Sequence, residues 1–227
     1  MRKSLAAKPS IKPMPITTVI FDYGCVLSLA PGPEDYEPLR KAAGVEAAVF
    51  QVSYWRNRDA YDLDAIDGPT YWQGVAHAAG ATFSPEQIQK LTTLDIQIWD
   101  RTNPVMVEWV RVLHAHGLKM AIISNISRTV GDYLRRTAKW FELFNYLCFS
   151  GELKIGKPNP AIYHACLEAL GVPAPHALLI DDREVNITAG HAVGMHGIVF
   201  RSVEQLQAEL EPYGLAGSLA EAIARAG

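Results

Sequence analysis

Three aspartates, a serine and a lysine stand where strands and helices meet, and that placement is the chemical signal in this sequence. Asp22 follows the β-branched and apolar run Thr18 to Phe21, and Ser124 closes the apolar run Leu118 to Ile123. The pair Asp181-Asp182 follows Ala177 to Ile180, and Lys157 precedes Pro158, a residue suited to the first position of a helix. In open parallel sheets ligands bind in the crevice outside the carboxyl ends of the strands. One edge would thus collect three carboxylates, a hydroxyl and an ammonium. Carboxylates brought that close cannot all stay ionised unless a cation neutralises them. Oxygen donors without His or Cys suit a hard ion, and Mg²⁺ is the natural candidate. A helix N-terminus, a lysine and such an ion would together hold a phosphoryl group. Ser124 alone reads as a cap or turn residue; four coincident strand ends do not.

The elements that must position these groups follow from patterning. From Asn103 onward helix and strand alternate: a helix from Pro104 to His116 closed by Gly117, the strand Leu118–Ile123, and a helix from Ser127 to about Thr137. A strand Tyr146–Phe149, a helix from Pro158 to Leu170 stopped at Gly171, the strand Ala177–Ile180, a helix Arg183–Val193 and a strand Gly197–Phe200 follow. Such alternation implies right-handed crossovers and a doubly wound parallel α/β sheet. Between the first strand and Asn103 nothing reads as strand. Helical stretches Glu34–Ala43, Glu46–Arg58, Pro69–Ala79 and Pro85–Trp99 dominate instead. The expected organisation is an α/β core of residues 16–29 and 104–227, an inserted helical domain of residues 30–103, and an extended tail of residues 1–15 rich in Pro and Lys.

The whole chain has 227 residues, 49% of them hydrophobic, enough for one large domain or a core with a small second unit. A net charge of −3 provides no basic field for a phosphate backbone, so nucleic acid is not expected as a partner. No apolar run approaches the roughly 20 residues of a membrane span, and residues 1–15 lack the apolar region of a signal peptide. A cytoplasmic location without membrane contact is expected. Cys25, Cys148 and Cys166 are too few and too unevenly spaced for a disulfide framework or a thiolate metal site. His114, His116, His191 and His196 sit in no motif and carry no assigned role.

With these residues in view, the chain resembles the haloacid dehalogenase-like (HAD) hydrolases. The nucleophile motif of that family resembles Phe21-Asp22-Tyr23-Gly24-Cys25-Val26-Leu27, and its phosphate-binding Ser/Thr motif resembles Ser124-Asn125. Its lysine motif resembles Gly156-Lys157-Pro158 with Tyr163, and its acidic motif Ile180-Asp181-Asp182-Arg183-Glu184-Val185-Asn186, all in the family's order. The resemblance covers residues 17–29 and 104 to about 200, and the insertion is similar to the family's helical C1 cap. It implies that Asp22 attacks phosphorus and forms an aspartyl-phosphate. It further implies that Asp22, Asp182 and the Gly24 carbonyl hold Mg²⁺, that Ser124, Asn125 and Lys157 hold phosphoryl oxygens, and that Asp181 and Asn186 support the metal site. Within the acidic pair, Asp182 is the expected direct ligand. The implied partner is a small phosphorylated molecule; the oligomeric state is not implied.

Gly24 departs from the pattern. Phosphatases similar to this chain usually carry a second Asp there, which protonates the leaving oxygen and then activates water. A positioned acid is worth roughly 10² to 10⁴ in rate, about 3 to 5 kcal/mol of barrier. Leaving groups that depart easily, such as the anomeric oxygen of a sugar 1-phosphate, suffer less from its loss. A subgroup with the same Asp-x-Gly pattern resembles sugar-phosphate phosphatases, including α-glucose-1-phosphatases. Two alternatives stand beside this reading: a metal-free 2-haloacid dehalogenase, and a phosphate-binding protein with a decayed active site. Twin aspartates without a metal speak against the first; intact Asp22, Lys157 and Asp182 speak against the second.

Specificity is expected from the insertion, where Tyr54-Trp55-Arg56-Asn57-Arg58-Asp59-Ala60-Tyr61-Asp62 mixes aromatic and charged residues. Aromatic faces beside Arg and Asp can hold a sugar ring and its hydroxyls. Arg56 and Tyr61 are the candidate substrate contacts, whereas Trp55 and Trp72 are expected to pack the insertion's own core.

Overall fold

A computed structural model describes residues 15–227, so the expected tail lies, apart from Pro15, outside the described residues. Five parallel strands form one sheet: β1 (Thr18–Phe21), β2 (Lys119–Ser124), β3 (Tyr146–Phe149), β4 (Ala177–Asp181) and β5 (His196–Val199), in the order β3-β2-β1-β4-β5. β1 is central and all four of its residues are buried, which explains its unbroken apolar and β-branched composition. Alternate side chains serve opposite faces. Val19 and Phe21 join one apolar cluster with Met106, Trp109 and Ile122, while Ile20 joins another with Ala121, Ile162 and Leu179. Helices therefore cover both faces of the sheet.

Registry brings the motifs together. Phe21 is level with Ile122 on one side and Ile180 on the other, so Asp22 emerges beside Ile123 and Asp181. The Asp22 N–H bonds the Ile180 carbonyl at 2.8 Å. Ser124 and Asp182 stand one residue further along, about 3.3 Å by strand rise.

The helices of the described residues are α1 (Glu37–Ala43), α2 (Ala47–Arg56), α3 (Arg58–Asp62), α4 (Gly68–Ala78), α5 (Pro85–Trp99), α6 (Pro104–Ala115), α7 (Arg128–Thr137), α8 (Ser150–Leu153), α9 (Pro160–Leu170), α10 (Glu184–Ala192), α11 (Val203–Glu209) and α12 (Ala216–Ala226). Several expected boundaries move by one to three residues, and two of the shifts bear on the site. α9 starts at Pro160 rather than Pro158, because the Asn159 side chain caps Ala161 N–H at 3.0 Å. The helix expected over Glu46–Arg58 breaks at Asn57, where φ −118° and ψ 18° leave helical geometry, and resumes as α3. The C-terminal α12 is tied into the core beneath the sheet. Trp109 of α6 donates to its Ser218 Oγ at 2.8 Å, and Leu219 and Ala222 join the same cluster as Phe21.

Helices α1 to α5 have an apolar cluster of their own, including Leu39, Phe50, Tyr54, Tyr71, Trp72 and Leu91. The chain enters and leaves this block side by side: Leu29 N–H bonds the Arg101 carbonyl at 2.7 Å and Asn103 N–H the Leu27 carbonyl at 2.8 Å. On the far side, Ser150 Oγ donates to the Asp62 carbonyl at 2.6 Å, and Lys154 pairs with Asp64.

Candidate active site

The irregular turn Tyr23–Leu27 carries the chain out of β1. It closes through Ser28 N–H on the Tyr23 carbonyl at 2.8 Å, and the Tyr23 hydroxyl donates to the Trp99 carbonyl at 2.8 Å. Gly24 sits at φ −62°, ψ 132°, a conformation open to any residue, whereas Cys25 takes φ 59°, which ordinarily favours glycine. The Cys25 thiol is pushed up to about 12 by burial and by the Asp182 and Asp22 carboxylates, so it stays protonated and un-nucleophilic.

Lys157 lies between two aspartates. Its ammonium is 2.8 Å from Asp22 Oδ2 and 2.6 Å from Asp181 Oδ2, and all three side chains are buried. Burial alone would lower the lysine; Asp22 and Asp181 outweigh it and raise it, so it remains charged. Asp22 is pushed up to about 7, chiefly by burial, with Lys157 opposing and Asp181 adding to the rise. Its Oδ1 accepts the Tyr23 N–H at 2.6 Å. Asp182 is also raised, by burial and then by Asp181.

The two adjacent aspartates differ in commitment. Asp181 Oδ1 accepts from Arg183 N–H at 2.9 Å and Asn186 Nδ2 at 2.8 Å, and its Oδ2 accepts from Lys157. The Asp182 carboxylate is paired with no cationic side chain among the described residues and faces a cavity of about 430 Å³ that Asp22, Ser124 and Lys157 also line. Carboxylate oxygens of Asp22, Asp181 and Asp182 lie within 4.8 Å of one another. Three carboxylates against one ammonium, one of them unpaired, make a donor set that fits a hard divalent cation such as Mg²⁺. The buried Asn186 Oδ1, which has no donor among the described residues, adds a second acceptor beside them. Asp22, Asp182 and the Gly24 carbonyl are the groups that could hold the ion, with Asp181 fixed behind them.

Ser124 Oγ opens on the cavity with no protein partner among the described residues, free to donate to an oxyanion. Asn125, expected as a phosphoryl contact, lines the same cavity, and its side chain is also committed to the Lys157 backbone. Its carbonyl accepts Lys157 N–H at 2.7 Å and its amide donates to the Lys157 carbonyl at 2.9 Å, clamping the lysine's backbone. Tyr163 donates to the Asn186 carbonyl at 3.1 Å and so braces the start of α10.

The cap-side expectations need correction. Arg56 is exposed on α2 beside Val52 and Ala78, away from this cavity, and Tyr61 is buried and stacked on Tyr71 with centroids 4.6 Å apart. The cavity is lined instead by Trp55, Arg58, Asp59, Asp62 and Trp99. Trp55, expected in the insertion's core, is 43% exposed, whereas Trp72 is fully buried as expected. Helical spacing accounts for the exchange: Arg58 lies four residues after the buried Tyr54 and donates to its hydroxyl, while Arg56, two residues earlier, turns to the other side. The signal that could have found Arg58 is the four-residue spacing of Tyr54, Arg58 and Asp62.

A buried carboxylate held against a lysine, an unpaired carboxylate and a hydroxyl thus meet around one cavity at the strand ends. The chain belongs to the haloacid dehalogenase-like hydrolases, whose family model matches residues 16–194. It is similar to the bifunctional riboflavin kinase/FMN phosphatase of Arabidopsis thaliana, 30% identical over 95 residues, 41% of this chain and 25% of that protein. A HAD family enzyme of Bacteroides thetaiotaomicron in complex with magnesium and inorganic phosphate shares the fold, with TM-score 0.64, 18% identity, and coverage of 82% of this chain and 94% of that one. So does an L-2-haloacid dehalogenase of Xanthobacter autotrophicus with chloropropionic acid covalently bound, with TM-score 0.61, 17% identity, and coverage of 86% and 82%. The chain spans 10 to 47% of the length of the first curated relatives it matches. No helix among the described residues is long and apolar enough to cross a membrane.

Proposed function

We propose that this chain is a Mg²⁺-dependent phosphatase that hydrolyses a small phosphorylated metabolite, a sugar phosphate, through an aspartyl-phosphate on Asp22. The observation that carries the reading is the constellation Asp22–Lys157–Asp181 with Asp182 and Ser124 left open to the same cavity. Displacement of halide needs no metal, and a site built for it would gain nothing from an uncompensated third carboxylate. When bound, Mg²⁺ would offset the carboxylate charge and polarise the phosphoryl group.

In this reading an Asp22 carboxylate oxygen attacks phosphorus and the ester P–O bond breaks. Lys157 and Ser124 hold phosphoryl oxygens, and the Asn125 clamp fixes Lys157's backbone while Asp181 orients its ammonium. Water then attacks the acyl phosphate, releasing phosphate and regenerating Asp22. No carboxylate stands at Gly24 to protonate the departing oxygen, so esters with stable leaving oxygens, such as sugar 1-phosphates, are favoured. Residues 30–103 act as a cap domain on a core of 16–29 and 104–227, closing over the strand ends to exclude water. The three free thiols suit a reducing cytoplasm.

Phosphate release with and without Mg²⁺, over sugar 1-phosphates, sugar 6-phosphates, nucleotides and an aryl phosphate, tests the proposal against an Asp22→Asn control. Mg²⁺-dependent release absent from the variant is expected. Release of chloride from 2-haloacids instead would establish the dehalogenase, and phosphate binding without turnover the decayed binder.

A further inference from the structure

The cap wall of the cavity holds a buried cation that the phosphoryl chemistry leaves unused. Arg58 is only 5% exposed, and its guanidinium is fixed from two sides. Nε donates to Asp62 Oδ1 and Oδ2 at 3.0 and 3.1 Å. Nη1 donates to the Tyr54 hydroxyl at 2.6 Å and to Asp95 at 2.9 and 3.1 Å. Nη2 has no acceptor among the described residues, and it is not among the buried atoms sealed off without a partner. Arg58 lines the cavity that holds Asp22, which puts its remaining donor group, Nη2, at the wall of the space a leaving group must fill. The same space is walled by the indoles of Trp55 and Trp99 and carries the Asp59 carboxylate.

The charge of this wall decides what Nη2 can recognise. One guanidinium stands against Asp59, Asp62 and Asp95, and two of these carboxylates are already bonded to it. A further anion would meet a cation that is more than compensated, with carboxylates on either side. A neutral hydroxyl oxygen meets no such penalty, accepts from Nη2 and donates to a carboxylate, while its ring carbons lie on the indoles.

Resting on the phosphatase reading, we infer that Arg58 Nη2 is the specificity-determining donor of the cap, selecting phosphomonoesters with a neutral, polyhydroxylated leaving group and rejecting those with a second anionic group.

The test uses the full chain with Mg²⁺ and matched ester pairs: a hexose monophosphate against the same hexose bisphosphate, and glycerol phosphate against phosphoglycerate, with an aryl phosphate as reference. The neutral member of each pair should have the higher kcat/KM by at least tenfold. Arg58→Lys, which keeps the charge but loses the guanidinium fork and Nη2 with it, should raise KM for the hexose monophosphate at least tenfold more than for the aryl phosphate, whose leaving group offers no hydroxyl. Equal or better turnover of the anionic members, or an equal effect of Arg58→Lys on both esters, overturns the inference while the phosphatase reading stands. No release even from the aryl phosphate overturns that reading and this inference with it. The ester pairs are compared on the unaltered protein, so the result does not depend on the variant folding.

Discussion

Relative to the parent, the metal-free Asp22→Asn protein should gain stability as pH rises, even as it loses the nucleophile of the proposed mechanism. The Asp22 carboxyl moves from its ordinary 3.8 to about 7 in the folded chain, because burial and Asp181 disfavour its charge more than Lys157 favours it. At about 1.36 kcal/mol per pH unit, the ionised form costs the fold about 4 kcal/mol in the high-pH limit. Because the folded value lies above the unfolded one, the acid form's contribution to stability is fully present below pH 3.8 and is lost as pH rises through about 7. Asparagine keeps an acceptor for the Tyr23 N–H and never ionises, so its stability relative to the parent rises across that window, by on the order of 1 to 3 kcal/mol between pH 5 and pH 8. Urea denaturation of both proteins in EDTA, at whole pH units from 5 to 8, measures the difference. A stability difference that stays flat, or shrinks toward pH 8, would refute the account of Asp22 as a charge held at the expense of the fold. Added Mg²⁺ should shift the difference toward the parent, since it binds the carboxylate and not the amide.

Two further outcomes follow from the same geometry. Gly24→Asp should fold normally, because φ −62° and ψ 132° suit any residue and an added Cβ would meet only Trp99 Cζ3 at 3.7 Å. If the missing acid is what restricts leaving groups, its rate on alkyl phosphates should rise by roughly 10²-fold or more relative to aryl phosphate, and an unchanged ratio in steady-state assays would discard that explanation. Asp182→Asn should abolish the Mg²⁺-induced rise in melting temperature at concentrations where the parent protein gains about 2 to 3 kcal/mol from roughly 100-fold excess over Kd, whereas retention of that rise would remove Asp182 as a ligand.

Much of the strand-end cluster was legible in the chain because it depends on local pattern. A β-branched and apolar run ending in Asp22 and two apolar runs ending in Ser124 and in Asp181-Asp182 are strand-end signals that parallel pairing converts into neighbours. Glycines such as Gly117 and Gly171, both at positive φ, marked helix ends correctly for the same local reason. The cap was less legible. Helical periodicity located its helices, but which of Arg56 and Arg58 faces the cavity depends on the side that packs inward, and that is set by distant partners such as Asp95 on Arg58.

The sequence by itself determined the order of strands and helices, the chemistry available at the strand ends and the absence of an acid at position 24, since each is set by residue identity and short-range pattern. Only the tertiary structure decided that Lys157 bridges Asp22 and Asp181, that Asn125 spends its amide on the Lys157 backbone, and that Trp55 faces the cavity while Tyr61 packs in the cap. Those outcomes depend on sheet register and on the apposition of segments far apart in the chain, which fix where a side chain's partners lie; no residue carries that information alone.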